Sequence, residues 1–177
     1  MGSYVNIGLI SEKTDFKEKI IKLISSSNMF YCKKVDYPTD KTYSNWEEKK
    51  IEQCGIDIAI NYCIEYNMAK ITGNLMLGEY EIKEVIFQAE ELSNGTYCFL
   101  IQMPEQQNYI FEDINVAEDR IICFFKNLAQ YRFLQGFCDS EAEVEDRRGY
   151  AISVVYNNPS VNIILQSWMI DGITSRE

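Results

Sequence analysis

The chain has 177 residues, 46% apolar and 25% charged, which suits one globular domain with a sizeable core and excludes a disordered or fibrous polymer. Its formal net charge is −10 and it contains no histidine, so direct binding to nucleic acid or to an anionic membrane surface is disfavoured, and the usual general base and zinc ligand are missing. Six scattered cysteines include no C-x-x-C pair and lie beside apolar neighbours, which predicts reduced, buried thiols in a cytoplasmic protein.

In chain order, "YVNIGLI" (Tyr4 to Ile10) predicts a strand, and "TDFKEKIIKLISSS" predicts a helix with Phe16, Ile20, Ile21 and Ile24 on one face. "MFYCKKVDY" returns as a strand before Pro38. Ser44 and Glu47 have capping-box spacing, so "NWEEKKIEQC" is expected as a short helix closed by Gly55. From Gly55 the period changes to two, and Ile56, Ile58, Ile60, Tyr62 and Ile64 predict a strand, with the alternating run Ile71, Gly73, Leu75, Leu77 as its antiparallel partner. The run from Glu79 to Leu92 fits helix or strand, with Ile82, Val85, Ile86 and Ala89 favouring helix. Asn94-Gly95 turns into the apolar strand "TYCFLIQM". "VAEDRIICFFKNLAQYRFL" then predicts a helix, with Ile121, Ile122, Phe125, Leu128 and Ala129 on one side. Finally "YAISVVY" and "VNIILQSWMI" read as two strands joined by "NNPS". The expected fold class is α+β: a largely antiparallel β-sheet with two to four helices packed mainly on one face, in a single domain spanning 1–177.

No familiar catalytic motif survives inspection. "GNLMLGEY" has Gly73 and Gly78 at phosphate-loop spacing, but Glu79 and Tyr80 occupy the places of the lysine and the hydroxyl residue, and no G-x-G-x-x-G is present. The N-terminus has no apolar segment of signal-peptide type, and no apolar run reaches membrane-spanning length. No cofactor or metal site is expected.

The most unusual stretch is "GFCDSEAEVEDRRGY", with Asp139, Glu141, Glu143, Glu145 and Asp146 inside fifteen residues. In an extended chain, alternate residues lie about 6–7 Å apart, within a Debye length of about 8 Å, so these carboxylates repel one another until a cation intervenes. A solvated turn and a docking surface for a basic protein both fit that composition. Nearby aromatics favour docking: Phe133 and Phe137 before the stretch, Tyr150 after it, and Tyr109 with Phe111 beside Glu112 and Asp113. Tyr150 and Tyr109 are the candidate anchors.

The acidic single domain, the opening "GSYVNIGLI" strand and the late "GFCDSEAEVED" segment before two terminal strands together resemble the small immunity proteins of bacterial polymorphic-toxin systems. The resemblance implies a non-enzymatic cytoplasmic inhibitor that binds a basic toxin domain and blocks it through the acidic segment. Two alternatives stand beside it: a carboxylate-dependent, metal-assisted hydrolase acting through Asp139 and Glu141, and a small-molecule-binding sensor domain.

Overall fold

A computed structural model describes residues 5–103, 114–140, 152–158 and 160–165, with the side chains of 114–118, 139, 140 and 165 excepted. Nine strands form one sheet: β1 (Val5–Glu12), β2 (Phe30–Pro38), β3 (Trp46–Lys50), β4 (Lys70–Leu77), β5 (Tyr80–Glu91), β6 (Thr96–Met103), β7 (Gln135–Ser140), β8 (Ile152–Asn157) and β9 (Ser160–Leu165). Their order is β3-β2-β4-β5-β6-β1-β7-β8-β9, and every neighbouring pair is antiparallel. Four helices accompany them: α1 (Phe16–Ser26), α2 (Ile51–Cys54), α3 (Ile56–Glu65) and α4 (Ile114–Asn127). The molecule is therefore α+β, with an antiparallel sheet, as the composition and periodicity predict.

β1 lies inside the sheet, between β6 and β7, although it comes first in the chain. Helix α1 then carries the chain past β6, β5 and β4 to β2, burying Phe16, Ile20 and Leu23 as it goes. Those residues join Ala59, Ile60 and Cys63 of α3 and Ile121, Phe124 and Phe125 of α4 in one cluster, against the inward residues of the strands. Ile7, Leu9, Ile71, Leu75, Phe87, Phe99 and Ile101 supply the sheet side. Alternation puts the intervening strand residues on the opposite face, where Ile10, Leu92, Cys98, Leu100 and Phe137 form a smaller cluster. Among the described residues no helix covers that second face.

Two glycines set how closely these layers fit. A Cβ on Gly8 would lie 2.0 Å from the Phe137 ring, so Phe137 packs across β1 only because position 8 has no side chain. A Cβ on Gly73 would meet the main-chain oxygen of Tyr31 at 2.1 Å, which backbone cannot yield, so glycine is required where β2 approaches β4.

Several local expectations are corrected. Trp46–Lys50 is an edge strand rather than part of a helix, and the helix there is only the single turn Ile51–Cys54 before Gly55. With water on both faces, the strand needs no apolar alternation, so its period is invisible in "WEEKK". Ile56–Glu65 is a helix, not a strand: Ala59, Ile60 and Cys63 form its buried face, while Ile58 and Asn61 face water. Every second isoleucine imitates a strand, yet the buried set follows helical spacing. β4 consequently pairs with β2 and β5.

The stretch favoured as helix, 80–91, is the twelve-residue strand β5. Its register slips by one residue against β4, so that Ile82 opposes Leu75 but Val85 opposes Gly73, and Glu84 takes φ +56° within the slip. A bulge of this kind turns Ile82 and Val85 to the same face though they are three apart, which is helical spacing produced by a strand.

Candidate protein-docking surface

The predicted contact residues divide between the described chain and the remainder. Asp139 belongs to β7, where its backbone lies opposite Asn6 of β1. Glu141, Glu143, Glu145, Asp146 and Tyr150 fall between β7 and β8, and Tyr109, Glu112 and Asp113 fall between β6 and α4; all eight lie outside the described residues. Phe133 and Phe137, the flanking aromatics that favoured docking, are both 1% exposed and so add nothing to an exposed contact surface. Phe133 joins the main core and Phe137 the second-face cluster, because each continues an apolar layer that the sheet already presents. The thiol expectation holds in part. All six cysteines are unbridged, and burial pushes the Cys32 and Cys63 thiols up to about 12, but Cys123 is exposed on α4.

The surface that is described offers two connected features at the β3–β2–β4–β5 end of the sheet. The first is its helix-free face. Strand alternation places Tyr31, opposite Asn74, on this face, and Tyr31 is 65% exposed. The Asn74 amide nitrogen donates to Glu81 Oε1 at 2.6 Å, while its buried Oδ1 has no hydrogen-bond partner among the described residues. Such an orphaned buried acceptor is costly. Lys33 is held by Glu84 at 3.0 Å, and Lys34 lies 2.6 Å from Glu48 and 3.8 Å from Asp36. The hydrogen bond with Lys34 holds the Glu48 carboxyl below its ordinary range and raises Lys34 in return.

The second feature is an aromatic wall along the outer strand. The Tyr37 and Tyr62 rings stack at 3.8 Å and 9°, joining β2 to α3. Tyr37 donates its hydroxyl to Glu47 Oε2 at 2.8 Å, and Lys49 Nζ donates to the Tyr62 hydroxyl at 3.2 Å while covering both rings. Burial, then the Glu47 contact, pushes the Tyr37 phenol up to about 12; the two tyrosine hydroxyls raise Lys49 to about 12 as well. Tyr43 continues the wall, 6.3 Å from the Trp46 ring and 6.4 Å from Tyr66, and Trp46 is 42% exposed.

A cleft of about 470 Å³ lies apart from this wall, between α4 and the β4–β5 turn. Met29, Met76 and Phe124 line it together with Asp119, Arg120 and Cys123. The Arg120 guanidinium rests 3.9 Å from the Tyr80 ring centre, with Glu79 at 3.7 Å. Its chemistry would suit a small amphipathic molecule.

Tyr31 and Asn74 lie in segments expected as strands, but the run Ile71–Leu77 was expected to pair with 56–64 rather than with β2, and Glu81 and the β3 wall were hidden by helix expectations over 79–92 and 45–54. The only local signal was a tryptophan, a residue that favours strands, at the head of a run of charges. A scan against protein-family models and searches of curated proteins and solved structures each returned no match to this chain.

Proposed function

We propose that the chain is a non-enzymatic, cytoplasmic binding protein of the immunity type, which captures a basic toxin domain and occludes it. The observation that carries this reading is the helix-free face. There Lys33 and Lys34 are already neutralised by carboxylates, while Tyr31 stands exposed beside Asn74 and Glu81. Exposed aromatics in a carboxylate setting supply contact area and accept guanidinium or ammonium groups. The net charge of −10 adds long-range attraction for a cationic protein. In this account Asp139, Glu141, Glu143, Glu145 and Asp146, with Glu112 and Asp113, steer the encounter, and Tyr150 and Tyr109 join Tyr31 as anchors.

The test is association kinetics with the toxin domain encoded beside this chain's gene, recovered first by co-purification. From about 50 to about 500 mM salt the on-rate is expected to fall by about tenfold or more. Glu143→Lys with Glu145→Lys should lower the on-rate further at low salt, whereas Tyr31→Ala should act on the off-rate. Binding that ignores both salt and charge reversal would remove the acidic groups from the mechanism.

A further inference from the structure

β3 is an outer strand of the sheet, all five of its residues are exposed, and among the described residues no strand pairs with its outer side. Its backbone direction can be derived. The Thr39 N–H donates to the Asn45 carbonyl at 2.9 Å, so Thr39 and Asn45 are a hydrogen-bonded pair. Bonded and non-bonded pairs alternate along an antiparallel ladder, which makes Pro38–Trp46, Asp36–Glu48 and Lys34–Lys50 the non-bonded ones. Pro38 agrees, since it has no N–H to give. Trp46, Glu48 and Lys50 therefore turn their N–H groups outward, and Trp46 and Glu48 their C=O groups as well, whereas the Lys50 carbonyl, at the N-cap of α2, is engaged by that helix.

Charges on an edge strand ordinarily keep other strands away. On β3 their order does the opposite for one particular visitor. The strand reads Trp46, Glu47, Glu48, Lys49, Lys50, with acids first and lysines last, so an antiparallel copy of itself presents lysine to acid. Only outward-facing residues can form bonded pairs, which limits the register to steps of two. Centred on Glu48, the pairing sets Trp46 against Lys50 of the second copy and Glu47 against its Lys49, each occurring twice by symmetry. The one like pair, Glu48 with Glu48, is flanked by the two Lys34 ammoniums, each 2.6 Å from its own carboxylate. A shift of two residues either way puts Glu47 against Glu47 or Lys49 against Lys49 at the centre and shortens the overlap. Glu47 and Lys49 are also held in place beforehand, by Tyr37 and Tyr62 respectively.

We infer that β3 pairs with β3 of a second copy of this chain, antiparallel and centred on Glu48, joining two sheets across a two-fold axis. The interface is isologous, because the same strand serves on both sides. Trp46 lies over the other copy's Lys50, a cation–π contact that the edge alone cannot satisfy. This inference does not depend on the toxin-binding proposal, since its contacts run along the open edge of β3 rather than over the exposed Tyr31 that carries that reading.

Sedimentation of the whole chain at concentrations up to about 1 mM, the weak end of the affinity scale, should reveal a monomer–dimer equilibrium. Glu47→Lys alone places lysine against lysine and Lys49→Glu alone places glutamate against glutamate, so each should weaken self-association by about tenfold or more. An equimolar mixture of the two variants restores opposite charges at both positions and should form a heterodimer; the Glu47→Lys/Lys49→Glu double variant should recover the homodimer. In the unmodified chain, amide exchange at Trp46, Glu48 and Lys50 should slow as concentration rises, while Glu47 and Lys49, already bonded to β2, should not change. A chain that stays monomeric throughout, a dimer indifferent to the single reversals, a mixture that fails to recombine, or unchanged exchange at the three outward amides would each overturn the inference.

Discussion

Tyr37 is the residue at which the fold and the candidate surface share a proton. Its phenol is buried between β2 and α3 and donates to Glu47, and both effects favour the protonated form, to about 12 from an ordinary 10.0. In the unfolded chain the phenol ionises near its ordinary value, so between pH 10 and 12 the native state binds more protons than the unfolded one. Stability from this group is complete below pH 10 and is lost as pH rises through 12. Lys49, raised to about 12 from 10.5 by the same pair of tyrosines, acts in the same direction. Urea midpoints measured from pH 9 to pH 12 are therefore expected to fall, and Tyr37→Phe should flatten that fall while leaving the stacked rings in place. An equal alkaline slope in the variant would place the titration elsewhere.

At the scale of elements, α4 is tied to the last described hairpin by one contact that the sequence does not advertise. The Tyr156 hydroxyl of β8 donates to the Phe125 carbonyl near the C-terminal end of α4 at 2.8 Å. Beneath it, Gly136 leaves room for the Phe125 ring, since a Cβ there would lie 2.6 Å from Phe125 Cε1. A half-buried neutral hydrogen bond of this kind contributes about 1 kcal/mol, so Tyr156→Phe should cost roughly 0.5–1.5 kcal/mol of unfolding free energy in a denaturant titration, with an unchanged m-value. A loss well below that range would mean that water replaces the bond. β-rich apolar composition between turn signals located β2 and β6, while periodicity located α1, α4 and the β8–β9 hairpin. It failed at α3, where isoleucine recurs every second residue on a helix, and at β5, where the Glu84 bulge gives a strand the spacing of a helix.

At the scale of the whole molecule, repulsion among the carboxylates of an acidic chain is relieved by water and salt, by lysines, by metal, or by a basic partner. The hydrolase alternative, through Asp139 and Glu141, and the docking account separate by mass action. A metal bound only by the native state at a hundred times its dissociation constant adds about 2.7 kcal/mol, or roughly 5–10 °C in melting temperature for a chain of this size. Docking predicts no such rise with Mg, Mn or Ca; a rise specific to one ion would favour the enzyme. The sequence by itself determined what does not depend on where chain segments meet: the acidic balance, the missing histidine, the mixed α+β class and the antiparallel sheet. These follow from composition and from local period. Only the tertiary structure decided that Phe133 and Phe137 are buried, that Tyr31, Asn74 and Glu81 share a face with no helix over it among the described residues, and that "WEEKK" is, among those residues, an outer strand whose outward amides belong to Trp46, Glu48 and Lys50. Those facts rest on strand order and register, which arise from contacts between residues far apart in the chain and leave no period in any one segment.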